Sequence, residues 1–76
     1  MDSQSEIQVL ESIIVEHAGP MGKFVVKKSL QDLGLDNSTL NEGTRTKLVD
    51  LVLERAIYDR DRWNPIRNEI FSAWSD

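Results

Sequence analysis

The sequence predicts an all-α fold, a small bundle of four helices in which a helical hairpin is followed by two further helices. Apolar residues recur at helical spacing in four segments, and Gly and Pro interrupt the chain between the first two. With 76 residues, the chain is long enough for one domain only. A chain of this length buries only roughly 60% of its unfolded surface. We therefore expect a single helical domain over residues 1–76, with residues 1–4 frayed, stabilised by helix packing or by a second copy.

The first helix is predicted over residues 5–18. Ile7, Leu10, Ile14 and Ala18 follow the spacing of one helical face. The sequence Gly-Pro-Met-Gly at 19–22 then ends this helix and starts the next, because proline suits a first helical turn, where its missing N–H is not needed. The two helices are therefore expected to form a hairpin.

The second helix is predicted over residues 20–33. Val26 and Leu30 belong to its apolar side, and Met21 and Phe24 are expected to widen that side near the hairpin. Gly34 follows at the position where glycine commonly ends a helix. The next residues, 35–41, are rich in Asp, Asn, Ser and Thr and predict a loop.

The third helix is predicted over residues 42–59, after a capping-box spacing at 39–42. Within 48–53 only Asp50 is polar, which is too apolar for a helix with one buried face. Either this helix lies in the middle of the bundle, or one of its sides meets another chain. A buried strand over 48–53 is the alternative, but Ala56 and Ile57 continue the pattern beyond the usual length of a strand.

The fourth helix is predicted over residues 65–74. Asn64 and Pro65 have the residue types of an N-cap and a first helical position. We expect six residues on the apolar faces of the first three helices to belong to the core: Ile14, Val26, Leu30, Leu48, Val52 and Ile57.

Charge and composition exclude several functional classes. A net charge of −4 and a pI near 4.8 disfavour general nucleic-acid binding, which usually requires a basic domain. The longest apolar runs have three residues, as at 51–53, whereas a transmembrane helix needs about 20. No signal-peptide pattern is found, so we expect a cytoplasmic protein without membrane association.

The sequence contains no recognisable catalytic or metal-binding pattern. His17 is the only histidine and there is no cysteine, whereas a usual zinc site needs three or four ligands. No base stands beside a Ser or Thr that it could activate. We therefore expect no enzyme activity, cofactor or metal, and we assign His17 to the C-terminal end of the first helix, where the dipole favours it.

Two sets of residues are candidates for binding. The first would dock a protein partner or a second copy, because the third helix has excess apolar surface and aromatic residues anchor interfaces. It consists of Leu51, Leu53, Ile70, Phe71 and Trp74. The second is basic and would serve the alternative function, a small helix-turn-helix-like regulator that binds DNA. It consists of Lys23, Lys27, Lys28, Arg45 and Lys47. The three lysines among them also suit a hairpin in which a basic helix follows an acidic one.

Residues 19–34, with the sequence GPMGKFVVKKSLQDLG, resemble a helical segment of small domains that accompany prokaryotic signalling and regulatory proteins. The resemblance covers 16 of the 76 residues and carries no catalytic position. It implies a non-enzymatic module that works beside sensor components. We therefore expect a protein–protein interaction or regulatory module that associates with itself, and nucleic acid is the less favoured partner.

Overall fold

The computed structural model describes residues 3–35 and 40–75 of the chain. Within those ranges the chain forms four α-helices and no strand, which confirms the predicted all-α bundle. A 3-10 turn at Arg60–Arg62 leads directly into the last helix. The helices are α1 (Ser3–Ala18), α2 (Gly22–Asp32), α3 (Glu42–Ala56) and α4 (Trp63–Ser75). Residues 3 and 4, which we expected to be frayed, belong to α1, and residues 1 and 2 lie outside the described ranges.

The α1–α2 hairpin depends on two glycines with different roles. Gly19 ends α1 with a φ of +90°, a left-handed conformation that glycine adopts without a steric cost. Gly22 is buried against α1, and a Cβ at this position would lie 2.8 Å from Ile14 Cγ2. Gly22 N donates a hydrogen bond to Gly19 O at 2.9 Å. The helix begins at Gly22 rather than at Pro20, because Pro20 and Met21 form the turn.

The connection from α2 to α3 begins with a glycine stop, as predicted. Gly34 has a φ of +69°, Leu35 N donates to Leu30 O at 2.8 Å, and Gly34 N donates to Gln31 O at 3.0 Å. These bonds form a Schellman motif, which satisfies carbonyls left free at a helix end.

A capping box fixes the first turn of α3. The Asn41 side chain accepts from Thr44 N at 3.1 Å, while Asn41 N donates to Thr44 Oγ1 at 2.7 Å. The sequence predicts a different capping box, over residues 39–42, and its first residue lies outside the described ranges. The reciprocal Asn41–Thr44 pair satisfies two backbone donors at the helix start.

The boundaries of α3 and α4 differ from those predicted. The third helix ends at Ala56, three residues early, because Ile57 is extended and turns its side chain into the core. The expectation that Asn64 caps the fourth helix is wrong, since α4 begins at Trp63. Asp59 caps the preceding 3-10 turn instead, by accepting a hydrogen bond from Asp61 N at 3.0 Å. Pro65 therefore lies within the first helical turn, where its missing N–H costs little.

The core is formed by all four helices together with the residue after α3. Five of the six predicted core residues are buried, whereas Leu30 is only partly buried. The third helix buries one continuous side, formed by Leu48, Val49, Val52 and Leu53, while Asp50 and Glu54 on its opposite side are exposed. The buried apolar residues are Ile7, Leu10, Ile13, Ile14, Val26, Leu48, Val49, Val52, Leu53, Ile57, Ile66 and Ile70.

Candidate protein-binding surface

The outer side of α2 combines exposed apolar side chains with lysines. Met21 and Phe24 are 65% and 66% exposed. The three lysines of α2 are exposed around them. We call this surface the α2 outer face; it consists of Met21, Lys23, Phe24, Lys27 and Lys28.

The position of Phe24 follows from helical geometry. Phe24 is two residues away from both Gly22 and Val26, which are buried against the rest of the bundle. At about 100° per residue, a separation of two residues turns a side chain to nearly the opposite side of a helix. Phe24 therefore points away from the core and towards solvent.

The lysines of this surface differ in their partners. Lys28 Nζ lies 3.3 Å from Asp32 Oδ1, one turn along the same helix. Within the part of the chain that the structure describes, no carboxylate pairs with Lys23 or Lys27. The α2 outer face is therefore a positively charged surface with an apolar centre, and two of its ammonium groups have no carboxylate partner among the described residues.

Asp32 connects the end of this surface to α3. Its Oδ2 atom lies 2.6 Å from Arg55 Nη2. The hydrogen bond from Arg55 is the largest cause that lowers the pKa of the Asp32 carboxyl, and Lys28 acts in the same direction. Arg55 Nη1 also reaches Ser29 Oγ, at 3.5 Å. This contact supplies a partner to the buried hydroxyl of Ser29 and holds α2 against α3.

The expectation that Met21 and Phe24 widen the apolar side of the second helix is wrong. Both lie with the lysines. The apolar character of Met21 and Phe24 favoured the buried side of the second helix. That side is formed instead by Gly22, Val26 and Ser29, all of which are buried. The angular separation from these small and β-branched residues was the signal that could have located Phe24 on the outer side.

The five apolar residues predicted to dock a partner differ in how far they are exposed in the structure. Leu53 and Ile70 are completely buried, so they are not available at the surface of the folded chain. Leu51, Phe71 and Trp74 are partly buried. The rings of Phe71 and Trp74 meet edge to face with their centroids 5.5 Å apart. Phe71 and Trp74 pack against the buried core, whereas Leu51 does not belong to that group.

Trp74 is held by both α1 and α3. Its Nε1 donates to Glu6 O at 2.9 Å, and the Arg45 guanidinium lies over its ring, 5.5 Å from the centroid. The Arg45 guanidinium also pairs with the carboxylate of Glu6, a residue that is only 5% exposed. This cluster gives Arg45 a structural role because an unpaired buried carboxylate would be costly.

The predicted basic set does not act as one group. Arg45 is engaged with Glu6 and Trp74, and Lys28 pairs with Asp32. Lys47 is exposed on α3. Only Lys23 and Lys27 combine exposure on α2 with the absence of a carboxylate partner in the described ranges.

His17 joins α1 to α4. Its Nε2 lies 3.0 Å from Glu69 Oε1, and its Nδ1 lies 3.3 Å from Arg62 Nη2. A neutral imidazole fits both contacts, since it donates at Nε2 and accepts at Nδ1. Among the described residues, no group of three or more His, Asp or Glu side chains could hold a metal ion.

Two shallow grooves flank α1, with volumes of about 430 and 480 Å³. They share Gln8 and Ser12, and the first extends to Lys23 at the edge of the α2 outer face. Over residues 3–35 and 40–75, no helix has the length and apolar character needed to span a bilayer.

Comparison of the chain with protein-family models, with curated proteins and with solved structures gives no match. The resemblance of residues 19–34 to signalling-associated domains therefore stays a prediction.

Proposed function

We propose that the protein is a non-enzymatic interaction module that docks a partner protein on the α2 outer face. This face lies within residues 19–34, the segment whose resemblance implies a module that works beside signalling proteins. The proposal therefore includes a regulatory role in such a system, in the cytoplasm.

The exposure of Phe24 is the observation that carries the proposal. Full burial of a phenylalanine side chain stabilises a protein by roughly 1.5–3 kcal/mol, but at 66% exposure Phe24 leaves most of that free energy unused in folding. A partner that covers the ring would gain it. Met21 stands three residues earlier, on the same side of the chain, and enlarges the apolar contact. Clustered exposed apolar residues commonly mark interaction sites.

The DNA-binding alternative has less support. It requires the five basic residues to act from one surface, whereas the Arg45 guanidinium is engaged with Glu6 and Trp74. The acidic net charge of −4 would also repel the phosphate backbone.

The test compares three forms of the chain as affinity baits in lysate of the native cell: the unaltered chain, Phe24→Ser and Tyr58→Ser. Tyr58 is the matched control because it is also an exposed aromatic residue, located between α3 and the 3-10 turn. We expect specific proteins to be retained by the unaltered chain and by the Tyr58 variant and to be lost from the Phe24 variant. Circular dichroism checks that each variant is folded. Retention of the same proteins by all three baits would contradict the proposal.

A further inference from the structure

The charge around Phe24 indicates what kind of partner fits the α2 outer face. Residues 21–34 contain three lysines and one acid. Since the whole chain has nine bases and thirteen acids, the remaining residues contain six bases and twelve acids. This segment is thus the basic part of an otherwise acidic molecule. Lys23 and Lys27, which have no carboxylate partner within residues 3–35 and 40–75, lie on the same exposed side of α2 as the Phe24 ring.

We propose that the α2 outer face binds an acidic amphipathic helix of a different protein, which places apolar side chains on Met21 and Phe24 and carboxylates near Lys23 and Lys27. The inference rests on the proposed docking function and adds the chemistry of the partner. Opposite charges arranged around an apolar contact favour encounter and fix the orientation of the partner.

A second copy of the chain fits this face poorly. A two-fold symmetric contact places the same surface of each copy against the other. Here it would bring the lysines of one α2 close to those of the second. A head-to-tail contact with an acidic part of another copy would instead build a ring or an open filament, and nothing in the described residues provides a matching acidic apolar face for it.

An anionic membrane is also the less favoured target. A lysine near an anionic bilayer contributes about 1 kcal/mol, but the molecule carries a net charge of −4 and only two large apolar side chains on this face. An acidic helix is narrow enough to bring its carboxylates close to the lysines of α2. The rest of the partner protein then need not approach the acidic parts of this chain, so it is not repelled by them.

The experiment titrates the isotope-labelled protein with three synthetic helices of about 14 residues, or about four turns. All three have leucine on one face, and the other face carries Glu, Gln or Lys. Amide chemical shifts locate the binding, and titration gives the dissociation constant. We expect the Leu/Glu helix to shift the resonances of α2 selectively, the Leu/Gln helix to bind more weakly and the Leu/Lys helix not to bind. Raising the salt from about 50 to about 300 mM should weaken binding, because exposed charges are then screened.

Two variants and a control test the named residues. Phe24→Ala should abolish most of the shift, and Lys27→Glu should weaken binding of the Leu/Glu helix about fivefold, the upper range for an exposed ion pair. Tyr58→Ala should leave binding unchanged. Equal binding of the Leu/Gln and Leu/Glu helices, or no effect of Lys27→Glu, would overturn the inference. So would tighter binding of the same face to phosphatidylserine vesicles or to duplex DNA.

The two proposals fail in different ways. If none of the helices binds but Phe24→Ser still loses its native partners, the acidic class of partner is wrong and the docking function stands. If the helices do not bind and Phe24→Ser retains the same proteins as the unaltered chain, both proposals are wrong.

Discussion

Among single residues, Gly22 sets how closely α1 and α2 approach each other. A Cβ at this position would lie 2.8 Å from Ile14 Cγ2 and 3.0 Å from Val15 N. Both atoms belong to a packed helix, so the helices would have to separate. We expect Gly22→Ala to lower the free energy of unfolding by about 1–3 kcal/mol, the usual cost of overpacking.

Gly43 provides the matched control for this prediction. It lies in the first turn of α3, where the nearest atom to an added Cβ is Asn41 Oδ1, at 3.6 Å. Gly43→Ala should therefore stabilise the protein by about 0.4–1 kcal/mol through the unfolded state. Urea denaturation followed by circular dichroism measures both variants. If the two substitutions change the free energy of unfolding equally, packing at Gly22 does not limit how closely α1 and α2 approach each other.

Asp32 gives the stability of the protein a defined dependence on acid. Its folded-state pKa is lowered from the ordinary 3.8, first by the hydrogen bond from Arg55. The unfolded state therefore binds the proton more readily, so the stabilisation is present above that ordinary pKa and is lost as the pH falls through the folded pKa. Asp32→Asn should therefore destabilise the protein at neutral pH. As the pH falls, this variant should lose less stability than the unaltered chain.

The control for this prediction is Glu54→Gln, on the exposed side of α3 beside Arg55 in sequence. We expect its urea midpoint to follow that of the unaltered chain from about pH 6 to pH 2.5, across the titration range of carboxyl groups. If Asp32→Asn shows the same acid dependence as the unaltered protein, another carboxylate is responsible for it.

At the scale of elements, α3 contributes four buried apolar residues to the core, at positions 48, 49, 52 and 53. Leu48 is completely buried within it, whereas Leu30 of α2 is only partly buried. Leu48→Ala should cost about 2–5 kcal/mol, the range for a buried leucine. Leu30→Ala should cost less, because water already reaches part of its side chain. Urea denaturation of both variants checks the order, and a larger loss for Leu30→Ala would contradict it.

The elements also show how far the sequence predicts this fold. Periodic apolar residues located all four helices, and Gly34 marked the end of α2. The start of α4 was missed because Asn64 and Pro65 suit a helix start, while the actual cap, Asp59, acts through a 3-10 turn that has no apolar period of its own. Local residue types identify possible caps, but the tertiary position of Ile57 decides which one is used.

The candidate surface was harder to predict for a related reason. The excess apolar character of residues 48–53 indicated either a central helix or an interface, and only packing distinguishes them. The structure buries Leu53 and leaves Phe24 exposed, although both are large apolar residues on predicted helices. Each helix has its own buried side, and that side depends on which neighbours the chain folds against.

At the scale of the whole molecule, the burial of α3 changes the expected oligomeric state. The sequence predicts self-association, through the third helix or the C-terminal cluster of Ile70, Phe71 and Trp74, because the third helix is apolar on more sides than a small monomer easily covers and the chain has no cysteine for a disulfide. The monomer itself buries Leu48, Val49, Val52 and Leu53 and leaves Leu51 partly exposed. The α2 outer face is not self-complementary in charge. We expect sedimentation analysis over a wide concentration range to give a monomer of 8.7 kDa. A dimer that persists on dilution would contradict this expectation.

The contact between Trp74 and Glu6 has a mechanical consequence. It places the end of α4 beside the start of α1, while His17 and Glu69 meet farther along the same pair of helices. The two helices therefore run in opposite directions. Tension applied between residues 6 and 74 would strain the indole hydrogen bond first and then peel the helices apart turn by turn, since only one turn resists at a time. Such an unzipping geometry yields at lower force than one in which all the contacts are sheared together.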